Sequence, residues 1–89
     1  MTDDRHTGPP LTDTLAEQAT AAWNLRDRAR AVARQRPGHP SPLAVADQAA
    51  ALALAAAWFA REPPPTQRHA EPLTRARLRA LTTELETLE

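Results

Sequence analysis

Three histidines, His6, His39 and His69, and one serine, Ser41, are the residues of this chain best suited to proton transfer or nucleophilic attack. None is spaced for it. The histidines form neither an HExxH motif nor a pair at helical spacing. Ser41 stands directly before Pro42 and ahead of an apolar run, the position of a helix N-cap, which accounts for its hydroxyl. The chain has no cysteine, hence no thiolate nucleophile, no disulfide framework and no Cys-type zinc or iron–sulfur site. Gly8 and Gly38 are the only glycines, too few for a loop that cradles phosphate. No catalytic set, metal site or cofactor is therefore expected, and the chain reads as a non-enzymatic protein.

Charge is the more informative chemistry. Eleven arginines balance eleven acidic residues to a formal charge of zero, so no global field favours nucleic acid or an acidic membrane. The basic residues are nevertheless grouped. Arg26, Arg28, Arg30, Arg34 and Arg36 crowd one stretch, and Arg26, Arg30 and Arg34, four residues apart, make a stripe one turn beyond Trp23 that could follow a phosphate backbone or bind an anion. All basic residues are Arg and none is Lys; with abundant Ala and Pro and no Ile, that suggests a GC-rich coding bias, which lowers the value of Arg as a phosphate signal. Asp47 is a lone carboxylate in an apolar segment. Buried there it needs a partner, and an antiparallel neighbour would offer Arg30 or Arg34 as a structural ion pair.

The elements that position these groups are helices. Twenty Ala and eleven Leu against two Val leave little from which to build a sheet. Nine prolines fall in clusters and divide the chain into three runs. The expected architecture is all-α: a flexible, disordered arm over residues 1–10, then one domain over 11–89, a three-helix up-down-up bundle with helices over about 13–36, 42–62 and 73–88. Thr14 with Glu17 fits a capping box for the first helix, and Pro37-Gly38 stops it. Leu11, Leu15, Ala22, Leu25, Ala29 and Val32 form its apolar seam, broken by Gln18. Proline run 63–65, with Pro72, reads as a stiff polyproline spacer before the third helix.

The central helix is Ala-rich and apolar on two faces. Val45, Leu52 and Phe59 line one; Leu43, Leu54 and Trp58 line the other. Such a helix either spans a membrane or is packed on both sides. Alanine contributes little transfer energy and Asp47 lies within the segment, so no membrane is expected and the location is read as cytoplasmic. Trp23 and Trp58, both far from the first link, are expected to meet in the core. Helix 1 turns from acidic to basic along its length and helix 3 from basic to acidic, which suits two parallel neighbours.

So small a bundle buries little apolar area. A protein–protein interaction or assembly module is expected, a homo-oligomer with a dimer favoured, or one docked on a larger protein. The expected interface is Val45, Leu52 and Phe59 of helix 2 with the seam Leu78, Leu81, Leu85 and Leu88 of helix 3. The alternative is a small nucleic-acid-associated accessory protein that uses the Arg-rich end of helix 1.

Overall fold

The structure, a computed structural model, describes residues 10–89. It holds α1 (Leu11–Gln35), α2 (Ser41–Phe59) and α3 (Pro64–Leu88), with no strand among the described residues. The expected arm, apart from Pro10, lies outside the described residues, as does His6.

Side-chain bonds set the directions. Thr12 meets Gln67, Gln18 meets Glu71 and Thr74, and Arg28 meets Glu89, so α1 and α3 run parallel. Gln48 meets Arg77 and the Ala60 carbonyl meets Gln67, so α2 opposes α3, and therefore also α1. That is the up-down-up order. The most extensive helix pair is α1 with α2, and α3 lies across both.

The link between α1 and α2 turns on Gly38, whose φ of 91° is reached without strain only by a residue lacking Cβ. His39 donates its backbone N–H to the Arg36 carbonyl at 3.1 Å, closing the turn. The apolar core sits toward this pole. Leu25, Ala29 and Val32 of α1, Val45, Ala46 and Ala49 of α2, and Leu81 and Leu85 of α3 are buried together, with Leu52, Leu78 and Leu88 packed around them. Further along, alanines carry the contact: Ala19 and Ala22 on α1, Ala53 and Ala56 on α2, all buried.

Three expectations about helix ends are corrected. Neither Thr14 nor Ser41 caps a helix. Proline with its fixed φ precedes each start, Pro10 before α1 and Pro40 before α2, and no side chain caps either helix. Thr14 instead donates its hydroxyl to the Pro10 carbonyl at 3.3 Å. The third correction is larger: α3 begins at Pro64 rather than near residue 73, so the supposed spacer is helix. Pro63 is the extended N-cap (φ −63°, ψ 156°), and Pro64 and Pro65 fill first-turn positions where the missing N–H has no helical acceptor to lose. Gln67 N–H then bonds the Pro63 carbonyl at 3.1 Å. Pro72 lies inside the helix on its exposed side, tolerated because Gln67, Ala70, Glu71 and Thr74 anchor the buried face around it.

Candidate functional site

The outward face of α2 is where large apolar side chains meet solvent. Leu43 is 52% exposed, Leu54 63% and Trp58 62%. They recur at intervals of eleven and four residues, a single stripe along the helix. Ala51 and Ala57 are exposed between them, and Ala50 half-buried. By length and composition α2 could cross a membrane (mean hydropathy 1.4), and only 33% of that window is buried inside the bundle. Elsewhere only Leu73 of α3 is comparably exposed among the described residues, at 61%.

The face singled out in the sequence is the opposite one. Val45, Leu81 and Leu85 have no exposed surface, Leu52, Leu78 and Leu88 pack against the core, and Phe59 is half-buried. Val45, Leu81 and Leu85 join the helices of one chain to each other and are not available as an outer surface, and the other four keep only part of theirs. The reason is α3, which starts a full nine residues early and covers the Val45–Leu52 side of α2. The expected meeting of the indoles is also corrected. Trp58 points outward, whereas Trp23 is half-buried with the Arg26 guanidinium stacked over it, 4.7 Å from the ring centroid.

Asp47 shares the exposed stripe: it faces solvent and forms no ion pair with Arg30 or Arg34 among the described residues. Burial was the premise of that pair. Since α1 lies against the alanine side of α2, Asp47 needs no countercharge to stay hydrated. Just beyond the helix, Arg61 lies in a turn, its N–H bonded to the Trp58 carbonyl three residues back at 3.0 Å, and lines a shallow depression with Trp58 and Glu62.

The basic end of α1 is largely engaged. Arg26 bonds Asp27 at 2.8 Å, Arg28 bonds the Glu89 carboxylate at 2.9 Å, and Arg36 bonds the Glu89 backbone carbonyl at 3.1 Å. The pairing of the basic end of α1 with the acidic end of α3 is as the charge pattern suggested. Arg30 and Arg34 remain exposed.

A second cluster was not foreseen. Glu71 and Thr74 are 8% and 5% exposed and lie against Gln18, which donates to Glu71 at 2.8 Å and accepts from Thr74. Arg75 reaches both Glu71 oxygens at 3.2 Å. Gln67 donates to the Thr12 hydroxyl at 2.9 Å and to the Ala60 carbonyl at 3.0 Å, tying all three helices at this pole. The signal was present in the spacing: 67, 71, 74, 78, 81, 85 and 88 form one three-four seam, polar at its start and leucine at its end. Because every group in the cluster has a partner, it has the character of a joint rather than of a ligand site.

His39 and His69 are exposed, and no group of three metal-ligating side chains occurs among the described residues. Compared with protein-family models, with curated proteins and with solved structures, the chain matches none.

Proposed function

We propose that the protein is a helical association module that carries no chemistry of its own and self-associates through the outward face of α2. The observation that supports this most is the stripe Leu43, Leu54 and Trp58, more than half exposed on a helix whose other side is fully packed. A monomer holding three large side chains in line toward water, each a little over half exposed, forgoes roughly 1–2 kcal/mol of burial energy for each. Covering them is the simplest gain open to so small a fold.

The Arg-rich end of α1 gives weaker support to nucleic-acid binding. Arg26, Arg28 and Arg36 already have acidic or carbonyl partners within the chain, and Arg30 and Arg34 alone make a short stripe. The test is the solution mass. Sedimentation equilibrium should show concentration-dependent association of the parent chain, and Leu54→Glu should remain monomeric with its helical content unchanged. An oligomer indifferent to Leu54→Glu would remove this face from the account.

A further inference from the structure

We infer that α2 pairs with α2 of a second copy in an antiparallel, two-fold arrangement centred on Leu54, its register set by Asp47 of each chain against Arg61 of the other. The inference rests on self-association through this face and adds the partner's orientation and register.

The outward arc of α2 carries one charge, and a second follows just past its end. Asp47 precedes Leu54 by seven residues and Arg61 follows it by seven. At about 100° per residue, seven residues are two turns less about 20°, so Asp47 and Leu54 point the same way, and Arg61, in the turn two residues past Phe59, is exposed beside Trp58. In an antiparallel pair with a two-fold axis through Leu54, position 54 − n faces position 54 + n of the partner. Asp47 then faces Arg61 at both ends of the contact, opposite charges in each case. A parallel pair would instead set Asp47 beside Asp47 and Arg61 beside Arg61, which like-charge repulsion opposes.

Shape agrees with charge. The same axis sets Trp58, four residues after Leu54, against Ala50, four before it. An indole more than half exposed thus meets the smallest side chain on the face, with Ala51 and Ala57 flanking it as a low floor. Leu54 meets its own copy on the axis. Trp58 faces a small side chain and Leu54 its own copy, which allows two Ala-rich helices to approach closely, while Leu43, eleven residues from the axis, lies outside this contact. The contact uses the same patch on both chains and so closes at two copies instead of propagating.

Charge reversal tests the register. Asp47→Arg and Arg61→Asp, each alone, place like charges at both ends and should weaken the dimer about tenfold or more, read by sedimentation equilibrium. The double reversal should restore it. Both substitutions fall on exposed positions, and unchanged melting of the dilute chains confirms that the fold is intact. Leu54→Cys, in a chain otherwise free of cysteine, should oxidise to a covalent dimer, whereas Leu43→Cys, off the axis, should not. A dimer broken by Leu54→Glu but insensitive to single reversal, or not rescued by the double, overturns the register and leaves self-association standing. A parent chain monomeric to millimolar concentration, or one that floats with phosphatidylcholine vesicles as a monomer, overturns the second copy as the occupant.

Discussion

Asp47 and Leu81 show how differently two residues of a small bundle can matter. Asp47 stands alone in an apolar sequence, which suggests a buried ion pair, yet it is exposed. Asp47→Ala should therefore change the stability of the dilute chain by no more than about 0.5 kcal/mol, within the range of an ordinary surface substitution. Leu81, with no exposed surface, sits among side chains from all three helices. Leu81→Ala should cost about 2–5 kcal/mol and leave little of a domain this size folded, as urea titration followed by circular dichroism will show. An Asp47→Ala loss of similar size would mean that the carboxylate has a partner within the fold. The exposed ion pair of Arg28 with Glu89 belongs to a third kind, worth under about 1 kcal/mol, and contributes to alignment more than to stability.

At the scale of the element, α3 is the informative helix. Its first half is held by polar groups and its second by leucine, along one continuous seam. Gln18 occupies the matching seam position of α1, so the two parallel helices meet polar to polar at one pole and apolar to apolar at the other. A register slip would place Leu against Glu71, which is how a few buried polar groups select one alignment among many. Gln67→Ala removes bonds to Thr12 and Ala60 and strands the half-buried Ala60 carbonyl; a loss of about 1–2 kcal/mol is expected from thermal unfolding. Pro72 acts in the other direction. It interrupts the helix ladder on the exposed side, so Pro72→Ala should stabilise the fold, by up to about 3 kcal/mol, with a higher melting temperature as the readout. Were residues 63–72 a polyproline spacer, the substitution would have almost no effect.

For the whole molecule, stability and association are linked. If the outward stripe of α2 is covered only in the associated state, association stabilises the fold by mass action. The melting temperature of the parent chain should then climb with protein concentration, while that of Leu54→Glu should not. Parallel scans over a hundredfold concentration range decide it. A flat response in both proteins would mean that the three helices reach their full stability within one chain.

The helical class, the three-helix count and the pairing of the basic end of α1 with the acidic end of α3 were legible in the sequence; the expected match of their other ends was not, since Arg75 and Arg77 fall mid-helix and bond Glu71 and Gln48. Alanine and leucine content, proline punctuation and dipole-scale charge order act over one or two turns. Which face of α2 would be covered was not legible. The stripes Val45–Leu52–Phe59 and Leu43–Leu54–Trp58 are nearly equal in apolar content, and only the docking of α3 distinguishes them. That docking in turn depends on Pro63, Pro64 and Pro65. The same three residues suit an extended spacer or the first turn of a helix equally well, since proline's φ near −65° is common to both. Tertiary contact resolved the choice, through the amide of Gln67 and the buried face of Glu71, which meet Thr12, Ala60 and Gln18 with α3 begun at Pro64.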